Sequence, residues 1–380
     1  MSHITPQGDP VSQIDGSAVA SLRRLNATKV LDVLRGEPYR KFTVHEMAVS
    51  TGLSRPTVGR LLEDFASSGW ALIAEGVPGA TGRPARRFSF DRNRGLIVSI
   101  DIGRQGCIVL VSDLVGNELA ISDEFGLDMR DPNFAISHAL DAVSTVLDTL
   151  DDAPEVLGVC FAAPVALSES GVVLHSRTVP EWVRADFGAR LRAAYPGRPL
   201  VMNNDLFIMA EAELRLGALR DAQQGMYVYT GTFTTVALTI NGKVHRGFRQ
   251  LAGEIGSLEE YRWQDQLDAA MEKVAPGLTK PTSFLVSEAE LGKTAPREAI
   301  SVLAHGVSPG IVDLASVWDP DVVVLGGSLS RSDQFYQPIE AALQEFSGGA
   351  ITLRREQMDS LRAAAYGGIH RVLESIDWSA

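Results

Sequence analysis

The chain has 380 residues, 45% of them hydrophobic and 22% charged, with a net charge of −12. That length exceeds what one hydrophobic core fills and suits two or three domains. The balance excludes a disordered chain and a protein that coats nucleic acid over its whole surface. The first twenty residues, with Pro6, Gly8, Pro10 and Gly16, lack the basic start and apolar stretch of a signal peptide and read as a disordered tail over 1–20.

Thr43 to Trp70 reads as two short helices around a tight turn, the opening of a DNA-binding domain over 21–92. Thr43 caps a helix running to about Ser50, and Glu46 three residues on closes a capping box. Gly52 supplies the positive φ that the turn needs. Ser54 caps the second helix, and Pro56 is tolerated in its first turn because the missing N–H would be unpaired there anyway. Val58, Leu61, Leu62 and Phe65 recur at i, i+3, i+4 and i+7 and form one buried face. Ser54, Arg55, Thr57 and Arg60 lie toward the N-terminal end, where a recognition helix meets base edges and phosphates.

A strand follows over 70–74, then a Gly/Pro-containing turn over 76–82 and a returning strand over 86–90. Helix-turn-helix plus hairpin is a winged helix. Arg83, Arg86 and Arg87 lie at or near its tip, a cluster suited to phosphates or a narrow minor groove. Residues 1–90 hold 11 Lys+Arg against 8 Asp+Glu, about +3, which leaves about −15 for the remainder. A mildly basic head on an acidic body fits local docking on DNA.

From 95 to 103 an apolar strand ends at Asp101 and Gly103, and a hairpin continues through Cys107–Asp113 to 116–119. Helical spacing over 134–151, a strand over 156–161 and another over 199–202 lead to Asn203-Asn204-Asp205 and a helix stopped by Gly217. Strands at 226–229 and 234–240, the turn Asn241-Gly242 and Val244-His245 make a second hairpin. A strand over 321–325 runs into Gly326-Gly327, and a C-terminal helix is expected after Gly367-Gly368. Strands alternating with helices, with two similar hairpin-opening units, predict a two-lobed α/β body over 93–380. Cys107 and Cys160 sit in apolar strands with no CxxC, so reduced core thiols, no metal site and a cytoplasmic protein are expected. No run of about 18 apolar residues is present, so no membrane partner is expected.

The order DIG (101–103), Gly-x-x-x-x-x-Pro (158–164), NND (203–205), YTGT (229–232), LAGEIG (251–256), DPDVVVLGG (319–327) and AAYGG (364–368) resembles the ROK family of bacterial sugar kinases and repressors. The resemblance implies an actin-like, ribonuclease-H-like fold. With the winged helix in front, it implies the repressor branch, which binds operator DNA as a homodimer or homotetramer and responds to a sugar or sugar phosphate.

The phosphate motifs depart from the family's pattern. The family's DxGGT reads Asp101-Ile102-Gly103-Arg104-Gln105, and its GTGIG reads Gly231-Thr232-Phe233-Thr234-Thr235. Long or branched side chains stand where glycines let the backbone approach phosphate. No ATP cofactor and no catalytic residue are therefore expected. By the same resemblance, Asn204, Asp205 and Glu254 match sugar contacts, Thr178 replaces an asparagine ahead of Pro180 and Trp182, and Ser257 replaces a histidine. The family's zinc motif is missing, with Tyr261-Arg262-Trp263-Gln264-Asp265 in that region. The expected function is a sugar-responsive regulator, with a repressor's logic and a body that senses rather than catalyses. A sugar kinase with a DNA-binding head and a ligand-independent DNA-binding protein are the alternatives.

Overall fold

Three helices and a hairpin build the first of two units. In the computed structural model, the described residues are 16–74, 85–104, 106–231, 234–277, 282–376 and 378, with the side chains of 16–20 and 257 outside that set. They divide at Arg94/Gly95, two residues beyond the boundary expected from sequence, and Trp378 belongs with the first unit.

In that unit α1 (Gly16–Gly36) begins inside the segment expected as tail, so 16–20 is helical. α2 (Val44–Thr51) is capped by Thr43, whose hydroxyl accepts from Glu46 N while the Glu46 carboxylate accepts from Thr43 N at 2.7 Å. Gly52 ends it with φ 69°. α3 (Arg55–Ser67) starts from Ser54 and buries Val58, Leu61, Leu62 and Phe65. β1 (Ala71–Ala74) and β2 (Arg87–Phe90) pair antiparallel, with Ala71 opposite Phe90. Phe42 bridges to Phe88, and both rings are buried with Leu31, Leu34, Met47 and Leu62. The turn expected over 76–82, and Arg83 with it, lies outside the described residues. Trp378 completes this core: its ring meets Trp70 at 5.5 Å and Phe90 at 6.2 Å, both edge-on, and the Arg35 guanidinium lies 3.8 Å from its centre.

The second unit repeats one plan twice. Its first lobe holds β3 (Leu96–Gly103), β4 (Gly106–Ser112), β5 (Glu118–Phe125), α4 (Pro132–Leu147), β6 (Val156–Ala163), β7 (Ala166–Leu167), β8 (Val173–His175), α5 (Phe187–Ala194), β9 (Leu200–Asn204) and α6 (Asp205–Arg215). The five-stranded sheet runs β5-β4-β3-β6-β9, with the first three strands antiparallel and the last three parallel. α4 ends four residues before the expected 151: beyond Leu147 the chain tightens, with Thr149 N bonding Val146 O and Leu150 N bonding Leu147 O.

The second lobe holds β10 (Gln224–Thr230), β11 (Thr234–Ile240), β12 (Lys243–His245), α7 (Trp263–Val274), α8 (Thr282–Glu290), α9 (Thr294–Trp318), β13 (Val322–Gly326), α10 (Asp333–Ser347) and β14 (Thr352–Arg355), and the chain then returns as α11 (Ala363–Ser375) to pack on the first lobe. Its sheet order, β12-β11-β10-β13-β14, mirrors the first in strand direction as well as number. α9 is long and apolar enough to cross a membrane by length and composition, which the search for one unbroken apolar run missed. It is a core helix here: Ile300, Leu303, Ala304, Val307 and Ile311 are buried in the lobe's hydrophobic cluster.

The last helix corrects the sequence reading. Gly367 and Gly368 lie inside α11 rather than before it. A Cβ at 367 would meet the Ile208 carbonyl at 2.2 Å, and one at 368 would meet Ser99 Oγ at 2.1 Å. The glycines are there because α11 runs against α6 and the first sheet at backbone distance, which outweighs their cost inside a helix of about 1 kcal/mol each. Gly367→Ala should therefore lower the second unit's stability by about 1–3 kcal/mol, the usual cost of overpacking. The shift in its urea midpoint measures this, and an unchanged midpoint would mean that the two helices have slack.

Candidate functional site

A cavity of about 260 Å³ opens between the two lobes of the second unit. Its floor is the junction of β9 and α6. Asn204 is the helix N-cap, its Oδ1 accepting from Leu206 N at 3.0 Å and its Nδ2 donating to Val165 O at 3.3 Å. Asp205, the first helical residue, accepts from Leu206 N at 2.7 Å. A carboxylate at that end is favoured by the helix dipole.

From the second lobe, Glu254 reaches the same cavity, held by an unusual backbone. Gly253 takes φ 89°, and a Cβ there would meet Val236 O at 1.8 Å, so the chain lies directly on β11. Glu254 pairs with Arg177 at 2.8 Å and accepts from Thr235 Oγ1 at 3.4 Å. Gln250 fastens the opposite wall, donating from Nε2 to Leu167 O at 2.8 Å. Arg104, His175 and Thr178 also line the cavity.

Of the residues expected from sequence, Asn204, Asp205, Glu254 and Thr178 are thus brought together. The side chain of Ser257, and Gln105 and Phe233, lie outside the described residues. Arg177, Gln250 and Thr235 were not anticipated. Arg177 precedes Thr178, and its one local signal was a cation next to an expected ligand.

The carboxylates crowd one another. Burial, with the negative charge of Asp205, holds the Asp101 carboxyl well above its ordinary range. Burial also raises Asp205 to about 6, with repulsion from Glu254 adding to it and the Leu206 N–H opposing it. Such a group is ionised at neutral pH and accepts hydrogen bonds from paired hydroxyls.

The residues that replace the family's zinc motif do not fit a metal. Trp263 is fully buried, so close to Gly256 that a Cβ there would meet its ring at 2.5 Å, and Tyr261 Oη donates to Asp313 at 2.6 Å. An indole core fills that corner instead. Among the described residues no group of three or more His, Cys, Asp or Glu could hold a metal ion.

A second candidate surface lies on the first unit. Arg55 and Arg60 are exposed on α3, with Arg55 Nη2 2.8 Å from His45 Nδ1. Ser54 and Thr57 bond each other at 2.8 Å and Ser54 Oγ accepts from Thr57 N, so these hydroxyls serve the cap first. Arg86 pairs with Glu63 at 2.5 Å with both side chains about half exposed, an interaction weak enough for a phosphate to displace. Arg87, counted with the wing cluster, is engaged within its own unit, donating to Lys41 O at 2.9 Å and pairing with Glu46 at 3.6 Å.

Residues 97–261 and 262–365 match the sequence profile described as the ROK family. An uncharacterised protein of Clostridium perfringens is 27% identical, over 66% of this chain and 88% of its own length. The xylose repressor of Bacillus subtilis is 19% identical, over 82% of this chain and 84% of that protein. Among solved structures, a ROK family transcriptional regulator described as a homologue of the Escherichia coli MLC protein superposes with a TM-score of 0.68, at 16% identity, over 93% of this chain and 99% of its own. A ROK hexokinase from Thermus thermophilus reaches 0.58 at 21% identity, over 73% of this chain and 99% of its own. These likenesses carry the fold.

The raised carboxyls set a pH dependence. A folded-state pKa above the unfolded value means stability that is present below the ordinary Asp range and lost as pH rises through about 6. The ligand-free second unit should melt at lower temperature at neutral pH than near pH 5, after allowance for general acid effects. Asp205→Asn removes one of the crowded charges, so it should raise the melting temperature at neutral pH and reduce that slope. A variant that melts lower than wild type at neutral pH would contradict the electrostatic account.

Proposed function

The chain belongs to the ROK family, and from that premise we propose that it is a sugar-responsive transcriptional repressor whose second unit senses without catalysing. One observation carries the reading. A capped recognition-type helix with exposed Arg55 and Arg60 shares the chain with a cavity built on Asn204, Asp205 and Glu254. The B. subtilis relative named as a xylose repressor supports it. The ligand is a monosaccharide or its phosphate, because a cavity of about 260 Å³ falls just below the usual range of ligand sites, which starts at about 300 Å³.

In this mechanism Asp205 and Arg177 of the first lobe and Glu254 of the second face ligand hydroxyls, and the Arg177–Glu254 pair spans the two lobes. Asp205 offers an anionic acceptor, and Arg177 offers donors. Binding draws the lobes together and favours one arrangement of the chain, and operator affinity changes only to the extent that the sugar prefers that arrangement. One winged helix reads about one half-site, so two copies related by a two-fold axis read an operator. The protein acts in the cytoplasm, where operator DNA lies.

A sugar kinase is the second reading, and a specific observation favours it. A carboxyl at about pH 6 is also suited to take a proton from a sugar hydroxyl, and the hexokinase shares the body's fold. Against it stand Arg104, which lines the cavity, and the replacement of small residues at 105 and 233 by Gln and Phe.

Three experiments follow. A sugar panel should contain a ligand that raises the melting temperature of the wild type, and Asp205→Asn should weaken its binding by about 1.5–3 kcal/mol, the value of a hydrogen bond to a charged group. ATP with that sugar should release no ADP; turnover that Asp205→Asn abolishes would restore the kinase. For DNA, Arg60→Ala should cost about 1–3 kcal/mol of operator binding at fixed salt with folding unchanged. Unchanged affinity in that variant would remove α3 from the interface.

A further inference from the structure

A second cleft, of about 300 Å³, lies where the β11–β12 hairpin approaches α6 and α11. Arg215, Lys243, Arg246 and Arg371 line it against only two carboxylates, Glu211 and Glu374. The body from 91 onward carries about −15, so a concave surplus of positive charge there runs against the prevailing field.

The carboxylates act as braces. Glu211 pairs with Arg246 at 3.3 Å and with Arg371 at 3.7 Å; Glu374 pairs with Arg215 at 2.5 Å and with Arg371 at 3.4 Å. Each guanidinium has five N–H donors and spends few of them in these pairs, so it is oriented with donors to spare. Lys243 is exposed and has no ion pair among the described residues. Burial raises the Glu211 carboxyl above its ordinary range despite Arg371 and Arg246, which weakens the opposition to an incoming anion.

The alternative, an ion-pair network that merely staples the hairpin, explains the bridged arginines. It leaves the cleft volume and the fourth cation without a role. Guanidinium groups fixed by carboxylates, with an ammonium at the rim, are what a tetrahedral oxyanion binds. We propose that this cleft is a binding site for a phosphate group, carried by a small metabolite and separate from the sugar cavity. α6 joins the two sites: Asp205 opens the helix at the sugar cavity, and Glu211 and Arg215 lie in its second half at this cleft. A phosphate bridging Arg246 and Lys243 to Arg371 would brace the hairpin against α11.

The test titrates the full chain with inorganic phosphate and with glucose 6-phosphate at constant ionic strength, chloride serving as the reference, and reads melting temperature and heat. A saturable rise with phosphate but not with chloride is expected. Lys243→Gln, exposed and outside the braced network, should weaken it about tenfold, roughly one charge-assisted hydrogen bond, and Arg246→Gln should also weaken it. Asp205→Asn should leave the response to inorganic phosphate unchanged. Tighter binding of the ester in the Asp205→Asn background assigns the site to an organic phosphate, and equal binding assigns it to the phosphate group alone. No saturable rise over chloride, or a rise indifferent to both Lys243→Gln and Arg246→Gln, would overturn the proposal. So would a rise lost in Asp205→Asn, which would place the anion in the sugar cavity. None of these failures touches the sugar-sensing reading, which rests on the other cavity.

Discussion

The contact that organises the second unit is the one between α6 and α11. With no side chain at Gly367, the two backbones approach until the Ile208 carbonyl occupies the space a Cβ would need. α6 is fixed at its far end too. The fully buried Glu213 carboxylate accepts from three backbone amides, those of Ala218, Gln357 and Met358, at 2.5 to 3.0 Å. A buried charge with several amide donors is tolerated where an unpaired one would not be. A helix held along its length presents its N-terminus at a fixed place. Asp205 is consequently kept close enough to Glu254 to feel its charge and close enough to Asp101 to raise that carboxyl. Held in that position, the carboxyl is costly to ionise and well placed to accept from a ligand, the exchange of stability for function common at binding sites.

Magnitudes suit a sensor. Allosteric coupling of about 1–3 kcal/mol changes affinity about 5- to 150-fold. A hydrogen bond to a charged group is worth about 1.5–3 kcal/mol. One carboxylate contact made in only one arrangement of the lobes therefore supplies the whole coupling that a repressor of ordinary range needs. The Arg177–Glu254 pair, which spans the two lobes, adds a second contact of that kind.

The helix-turn-helix and the strands after it were legible almost residue by residue because their signals are local, whereas α1 went unread. Thr43, Glu46, Gly52 and Ser54 do what capping chemistry within four residues dictates. The sheets were legible from apolar runs and from the Asn241-Gly242 turn, and the repeated plan of the lobes from their hairpins. Glycines misled at 367 and 368, because a sequence shows that a Cβ is missing but not whether a turn or a neighbouring backbone requires it. The helices of the second lobe between 263 and 347 went unread: α8 and α9 carry only a weak period of their own, whereas α7 and α10 are amphipathic and were legible but passed over. In the cavity, Asn204, Asp205 and Glu254 could be read through the family's pattern, whereas Arg177 and Gln250 reach it only through the fold. The caps at Ser54 and Asn204 carry a further lesson: a polar side chain expected to meet a ligand is already engaged with its own helix.

In the proposed mechanism sugar and operator compete for different arrangements of one chain, a competition that linkage tests directly. The sugar's Kd is measured twice by calorimetry, on the free protein and on the protein saturated with operator. If the account holds, the two values differ by the same factor by which the sugar changes operator affinity, because coupling free energy is reciprocal. Identical sugar affinities in the two states, with the sugar plainly bound in both, would mean that the cavity does not speak to the DNA-binding unit.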